Sequence, residues 1–581
     1  MMNASISRFL PGLKWVGNYN ADLFKSDLTA GLTVAVMLIP QGMAYSVLAG
    51  LPPIYGLYAS IVPILIYALL GTSAQLAVGP VAMVSLLIYT GVGAIADVGS
   101  DAFIQLSILT ALGVGVIQLA MGLFRMGFMV NFLSHPVLSG FTSAAALIIG
   151  TSQLKSLFGV DLPSSKLIHE VWGAFFQNLG GINGVTAAIG LGSVALLMGL
   201  RKWNKKFPGA LAVVVLGTAI TALMSLNGQG VAIVGDVPQG LPSFGVPAFS
   251  MASLQALLPT ILAIALVGYM ESIAVAKSIA TRRGYKVVPN QELIGLGAAN
   301  IFGSFFQSFP TTGGLSRTAV NDQSGAETNW AAIISVVFIS LTLLFLTPYF
   351  YYLPKAVLAA IIMVAVAGLF DAKEMKHLWL TDKKDFAMLA ATFVATLTLG
   401  IEEGIGVGVL LSIIMVVYSS SKPHVAELGR LDGTRTYRNL ARYDEATRVD
   451  GVLVYRFDSP LFFGNSERFG DALREKMEAR EEDISQVILD FAGIHSIDST
   501  GVHALETLVD ELQGNGIGVK LSGVIGPVRD ILHKTHVMDL VGEDHFYFDV
   551  QDAVDSLAAH GVSAGSMSKT AHSAAQANGK S

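Results

Sequence analysis

Two stretches decide how this chain reads: Leu76-Ala77-Val78-Gly79-Pro80-Val81-Ala82, and, in the second half, Pro310-Thr311-Thr312-Gly313-Gly314-Leu315-Ser316-Arg317-Thr318. Each opens with Gly and Pro residues that resist helix formation, then runs into a short apolar segment. Irregular backbone at membrane depth is tolerated only where protein buries it or where it lines a cavity. Interrupted segments at matching places in two halves point to a binding site near the bilayer midplane. Helices starting there direct unpaired N–H groups and partial positive charge at one another, which favours an anion. The alternative is that Gly and Pro are simply frequent in membrane helices.

Outward from these segments the sequence is that of a membrane protein. The chain has 581 residues, 52% of them hydrophobic and only 13% charged, against about 25% charged in soluble domains. Residues 1–418 carry 37 charged side chains, about 9%, whereas residues 419–581 carry 41, about 25% and typical of a soluble domain. Spans need roughly 20 apolar residues. Candidates lie near 28–50, 54–71, 80–96, 102–124, 137–154, 182–200 and 208–226. After a polar break at 227–250 come 254–276, 290–305, 314–328, 330–350, 354–370, 384–400 and 404–420. The two interrupted segments are the third and the tenth of fourteen. The expected division is an N-terminal cytoplasmic segment 1–26, a transmembrane domain 27–420, a linker 421–436, a cytoplasmic α/β domain 437–560 and a disordered tail 561–581. Basic clusters at Arg125, at Arg201, Lys202, Lys205 and Lys206, at Arg282, Arg283 and Lys286, and at Lys373, Lys376, Lys383 and Lys384 fall in even-numbered loops. They place both termini in the cytoplasm. No cysteine is present, which excludes disulfides, thiol nucleophiles and cysteine-ligated zinc. A net charge of −6 without a basic run argues against nucleic acid as a partner. No motif calls for a metal, a cofactor or enzymatic chemistry.

Arg317 falls in the first turn of the tenth segment. A permanent cation at mid-membrane costs at least about 2.5 kcal/mol and is normally functional. The alternatives are a structural ion pair and a side chain snorkelling to the interface. Ser316 and Thr318 read equally well as donors to an oxyanion and as helix caps. Glu271, in the middle of the eighth segment, can load and release a proton as burial and a nearby cation oppose each other; the alternative is a salt bridge, for instance with Arg317. Sodium would need further oxygen ligands, and one turn on stands Val275. Gln41 and Tyr45, beside Pro40 in the first segment, read as ligand-orienting groups or as packing contacts.

From about 436 strands alternate with helices. Strands are expected at Gly451–Phe457, Val487–Phe491 and Val519–Ser522, and helices at Ser466–Glu482, Ser499–Gln513 and Pro527–Thr535. Ser499 or Thr500 reads as a helix cap, and such a helix start can also bind an anion or accept a phosphoryl group.

Several motifs together resemble the SulP anion permeases, whose sulfate-transporter signature is similar to Pro40-Gln41-Gly42-Met43-Ala44-Tyr45 continuing through Leu51-Pro52-Pro53-Ile54-Tyr55-Gly56-Leu57-Tyr58. Val78-Gly79-Pro80, His135-Pro136-Val137 and Gly314-Leu315-Ser316-Arg317-Thr318-Ala319-Val320-Asn321 carry the same resemblance, and the region of Asp498-Ser499-Thr500-Gly501 is similar to a STAS domain. The resemblance implies fourteen spans as a 7+7 inverted repeat, with core and gate domains, an elevator-like movement and a homodimer in the membrane lipid. It places an anion among Gly79, Pro80, Val81, Ala82, Gly314, Leu315, Ser316 and Arg317, with Gln41 and Tyr45 contributing. Glu271 matches the glutamate of proton-coupled sulfate symporters. A sodium-coupled bicarbonate branch has an aspartate there and a threonine one turn later, which Glu271 and Val275 depart from. Ser499 falls where anti-sigma antagonists are phosphorylated, and the domain would be a docking place for a cytoplasmic regulator. The expectation is therefore a proton-coupled sulfate importer of the cytoplasmic (inner) membrane. Other expectations are a bicarbonate or dicarboxylate transporter, an uncoupled anion exchanger, and a membrane-anchored STAS sensor.

Overall fold

The computed structural model describes residues 11–12, 19–128, 134–162, 168–204 and 207–559. Most of the expected N-terminal segment, the expected disordered tail 561–581, and Lys205 and Lys206 lie outside the described residues. The chain divides into two compact units, Met1–Ser412 and Ile413–Ser581.

The first half of the membrane unit comprises α1 (Ala21–Leu48), α2 (Pro53–Tyr58), α3 (Val62–Leu70), β1 (Val78–Gly79), α4 (Ala82–Gly93) and α5 (Asp101–Leu123), then α6 (His135–Ser152), α7 (Leu154–Phe158), α8 (Ile168–Gln177), α9 (Gly184–Trp203) and α10 (Gly209–Leu223). The second half comprises α11 (Met251–Arg283), α12 (Pro289–Ser304), β2 (Thr312–Gly313), α13 (Leu315–Gln323) and α14 (Trp330–Leu341), then α15 (Lys355–Val366), α16 (Ala372–Thr381), α17 (Lys383–Thr398) and α18 (Ile401–Ser421). Among the described residues eight helical stretches are long and apolar enough to cross a bilayer, and α4, α10 and α15 are shorter apolar helices.

The third and tenth segments are shorter than the runs 80–96 and 314–328 suggested. At about 1.5 Å per residue, the 12 residues of α4 and the 9 of α13 reach only part-way through a bilayer. Both begin after an extended lead-in, and the two lead-ins pair antiparallel, Val78 with Gly313 and Gly79 with Thr312. That pairing supplies hydrogen bonds that lipid cannot. Side chains satisfy the groups that remain. Asn300 Oδ1 accepts Thr311 N–H at 2.8 Å, Thr318 Oγ1 accepts Ala77 N–H at 3.0 Å, and Asn321 Nδ2 donates to Gln75 O at 2.9 Å.

The second unit is built on a seven-stranded sheet: β3 (Val425–Leu431), β4 (Tyr437–Asn439), β5 (Ala446–Thr447), β6 (Val452–Phe457), β7 (Gln486–Asp490), β8 (Gly518–Ser522) and β9 (Phe546–Tyr547). The order is β4-β3-β6-β7-β8-β9, with β5 on β3; β6 to β9 run parallel and β3 antiparallel to β6. Its helices are α19 (Ser466–Glu478), α20 (Ser499–Gly514), α21 (Gly526–Leu532), α22 (Val537–Val541) and α23 (Val550–Ala559). The alternating pattern of Leu453, Tyr455, Phe457, Val487, Leu489 and Leu521 packs one face against α19 and α20. Val452, Val454 and Ile488 meet α23 on the other. The stretch 421–436, expected as a linker, contributes β3 to this sheet. Its mixed composition, with Glu427 buried against Arg480 at 2.8 Å, hid the strand from a reading based on apolar alternation.

Candidate functional site

The N-terminal ends of α4 and α13 lie beside the β1–β2 pair, and neither has a side-chain cap. Their first-turn N–H groups have no partner within their own helices. Gly314 occupies the N-cap of α13, so Ser316 and Thr318 are not caps. Thr318 is buried and turned toward β1, donating to Gly314 O at 2.7 Å. Ser316 instead is exposed on the wall of a cavity.

Arg317 is the largest fully buried side chain among the described residues, at 1% exposure. Its Nη1 donates to Pro80 O at 2.5 Å, tying the first half of the chain to the second. Nε and Nη2 find no hydrogen-bond partner among the described residues. The guanidinium packs against both Gly79 and Gly314, and it is Gly314 that leaves it room. A Cβ at position 79, where φ is +151°, would stand 3.4 Å from Nη2, and one at position 314 only 2.8 Å away. A buried cation with two uncommitted donors is costly unless something anionic completes it.

The cavity beside it has a volume of about 510 Å³, and its lining includes Gln41 and Tyr45 from α1, Val81 and Ala82 from the start of α4, Glu271 from α11, and Gly314, Leu315, Ser316 and Arg317. Gly79 and Pro80 stand behind this wall, against the guanidinium. The structure thus brings Gln41, Tyr45, Val81, Ala82, Glu271, Gly314, Leu315, Ser316 and Arg317 to one cavity, while Thr318 faces β1 and Val275 and His135 do not line it. Glu271 Oε2 and Gln41 Oε1 are buried and unpartnered among the described residues, as are the two Arg317 donors. No ion pair joins Glu271 to Arg317 among those residues, so the carboxylate is not fixed in the salt bridge that the sequence allowed. Arg201 and Leu197 of α9, and Ile361, Val364 and Ala365 of α15, also line the cavity. Leu197, Ile361, Val364 and Ala365 escaped the sequence reading because an apolar wall looks like any lipid-facing helix, and Arg201 was read only as part of a cytoplasmic basic cluster. Ser272, next to Glu271, also escaped it; a hydroxyl beside a mid-span carboxylate was the available signal.

In the second unit Asp498, not Ser499 or Thr500, is the N-cap of α20. Its Oδ1 accepts Gly501 N–H at 2.7 Å and its Oδ2 accepts Phe463 N–H at 3.0 Å. A carboxylate outcompetes a hydroxyl here because it accepts from two backbone donors at once. Ser499 is left exposed in the first turn. His135 starts α6 and lies 3.2 Å from Glu374 of α16.

Paired half-helices on an antiparallel two-strand seam, with a buried arginine between them, define a polytopic membrane protein of the transporter type. The chain belongs to the sulfate permease family: the model of that family matches residues 24–392, and the model of the STAS domain matches residues 443–553. Sulfate transporter 4.1, chloroplastic, of Arabidopsis thaliana is 40% identical over 94% of this chain and 82% of its own length. A probable sulfate transporter of Mycobacterium tuberculosis is 34% identical over 94% of this chain and 97% of its own length. The murine Solute Carrier 26 family member A9 anion transporter, solved in the inward-facing state, superposes with a TM-score of 0.89 at 29% identity, covering 96% of this chain and 95% of that one. The transmembrane domain of a cyanobacterial bicarbonate transporter shares the fold, with a TM-score of 0.60 at 22% identity over 68% of this chain and 98% of that one.

Proposed function

We propose that this protein imports sulfate across the cytoplasmic membrane together with protons. The observation that carries the reading is the fully buried Arg317 guanidinium, whose Nε and Nη2 are uncommitted at the meeting point of two uncapped helix starts. A tetrahedral dianion accepts from the planar fork and from backbone N–H groups at once. Glu271, with an unpartnered oxygen on the same cavity, carries the proton. Loading it offsets part of the charge that the anion brings into a low-dielectric site. The names of the Arabidopsis and Mycobacterium relatives favour sulfate among the oxyanions.

In this reading the half-helices and Arg317 move as one body past the wall that Ile361 and Leu197 belong to, an elevator-type exchange of access. Both termini lie in the cytoplasm, the protein is a homodimer, and the STAS domain receives a cytoplasmic regulator, with exposed Ser499 as its candidate phosphorylation site. The test is uptake of labelled sulfate by liposomes holding the purified full chain, under an inward proton gradient and, separately, a sodium gradient. Proton-driven accumulation is expected. Uptake of bicarbonate or a dicarboxylate in place of sulfate would replace the substrate, and sodium-driven uptake would replace the coupling ion. Glu271→Gln is expected to abolish accumulation driven by the pH gradient while sulfate–sulfate exchange persists; unaltered pH-driven uptake in that variant would remove Glu271 from the mechanism.

A further inference from the structure

Ser272 follows Glu271 on α11 and is fully buried, as is Thr312 of β2 at 1% exposure. Their hydroxyl oxygens stand 2.6 Å apart. Thr312 Oγ1 lies 2.5 Å from Gly268 O, a carbonyl that can only accept, so the single Thr312 hydroxyl hydrogen goes there. The Ser272 hydroxyl hydrogen therefore goes to Thr312 Oγ1. A lone pair of Ser272 in turn accepts Gly313 N–H at 2.8 Å. The result is one directed chain: Gly313 N–H to Ser272 O–H to Thr312 O–H to Gly268 C=O. Each bond polarises the next, and every donor in the chain is satisfied in a buried site. A Cβ at position 313 would meet Leu76 Cδ1 at 2.6 Å and Ser272 Oγ at 3.0 Å, so the close approach of β2 to α11 depends on glycine there.

The two ends of this chain of hydroxyls sit one residue from the two groups that the transport reading needs. Ser272 adjoins Glu271. Gly313 adjoins Gly314, the N-cap from which α13 carries Ser316 and Arg317 into the cavity. We infer that Ser272, with Thr312, is a positioning residue that holds the proton-carrying carboxylate and the inorganic oxyanion site in fixed register, so that occupation of one is felt at the other.

The charged and titratable groups around Glu271 are few. From α13 it faces Arg317, and from α1 it faces Tyr45 and the neutral Gln41. Of the other helices packed on α11, α4 has no charged residue and α5 only Asp101, exposed at its start. The Glu292 carboxylate of α12 is taken up by Tyr67 and Thr72. On α11 itself Tyr269 donates to Gly127 O and Pro289 O and the next charge is the exposed Lys277, while Arg201 of α9 lines the same cavity. Arg282 and Arg283 tie the far end of α11 to Asp322 of α13, whereas the hydroxyl chain joins α11 to the lead-in of α13 beside Glu271 itself.

This inference rests on the proposed proton–sulfate coupling, and its test separates the two. Full-length wild type, Ser272→Ala, Ser272→Thr and the control Ser107→Ala are reconstituted in liposomes. Ser107 is equally buried, but its hydroxyl bonds only to Phe103 O within its own helix. For each, sulfate accumulation under an inward proton gradient is divided by sulfate–sulfate exchange at equal pH. In Ser272→Ala this ratio is expected to fall about tenfold, the scale on which coupling responds to a single intervening residue. Ser272→Thr, which keeps the hydroxyl, and Ser107→Ala are expected to hold the wild-type ratio. A fall of both activities in parallel in Ser272→Ala would show a merely structural serine and overturn the inference, as would an unchanged ratio. A wild type that exchanges sulfate but does not accumulate it under the proton gradient would instead overturn the coupling itself, and the inference with it.

Discussion

At the scale of single residues, Arg317 decides what the cavity can hold. A guanidinium buried in the membrane unit with one bond to Pro80 O and two unused donors has been stripped of water without full compensation. Charge-assisted hydrogen bonds contribute about 1.5–3 kcal/mol each, so Arg317→Ala is expected to weaken sulfate binding by at least about a hundredfold. Isothermal titration of the purified protein with sulfate measures this, and binding within tenfold of wild type would contradict it. Arg317→Lys keeps the charge but loses the fork, and should recover only part of the affinity. The glycines matter because of their neighbours. In Gly314→Ala the new methyl would lie 2.8 Å from Nη2, so the guanidinium has to swing away. The expected outcome is a KM for sulfate raised about tenfold, the loss of roughly one good hydrogen bond, with protein levels near wild type.

The elements raise a different question: how extended backbone survives at membrane depth. β1 and β2 are two residues each, too short to be stable alone. They persist because three neighbouring helices offer polar side chains to them and to the residues that flank them: Thr318 and Asn321 from α13, Asn300 from α12, Ser272 from α11. Thr318 does double duty, since its hydroxyl donates to Gly314 O and accepts from Ala77 N. Thr318→Val keeps the shape and removes both bonds, leaving a buried N–H unpaired at a cost of about 1–3 kcal/mol. Thermal unfolding in detergent should show a Tm several degrees lower, and Thr318→Ser should restore most of it. Equal stability of the valine variant would mean that the seam does not depend on side-chain support.

For the whole molecule, the two halves of the membrane unit are locked together by buried carboxylates as well as by the seam. Asp27 of α1, fully buried, accepts from Glu327 N, Thr328 N and Thr328 Oγ1 in the second half. Glu292 of α12, also fully buried, accepts from Tyr67 Oη at 2.6 Å, Thr72 N at 2.6 Å and Thr72 Oγ1 at 2.5 Å in the first. Neither half can satisfy these groups alone, so the halves fold as one body. Glu292→Ala would leave Tyr67 Oη, Thr72 N and Thr72 Oγ1 without their acceptor, and a buried donor left unpaired costs about 1–3 kcal/mol. Expression and detergent-solubilised Tm should fall sharply. An unchanged Tm would show that the donors find other acceptors.

The sequence by itself determined the class of molecule: charge density separated a membrane part from a soluble one, and the Gly/Pro lead-ins before α4 and α13 marked the place of the cavity. It also picked out Arg317, Glu271, Gln41 and Tyr45, because a polar side chain in an apolar span is costly and therefore conspicuous. Other features were decided only by tertiary structure. The strand β3 was read as a linker because its pairing with β6, not its own composition, makes it a strand. The cap of α20 fell to Asp498 because the Phe463 N–H, from elsewhere in the fold, approaches its second oxygen. The freedom of Glu271 from Arg317, the apolar lining of the cavity, and the Ser272–Thr312 chain have no local signature. They depend on distances between segments far apart in sequence, which a pattern along one chain does not encode and packing alone fixes.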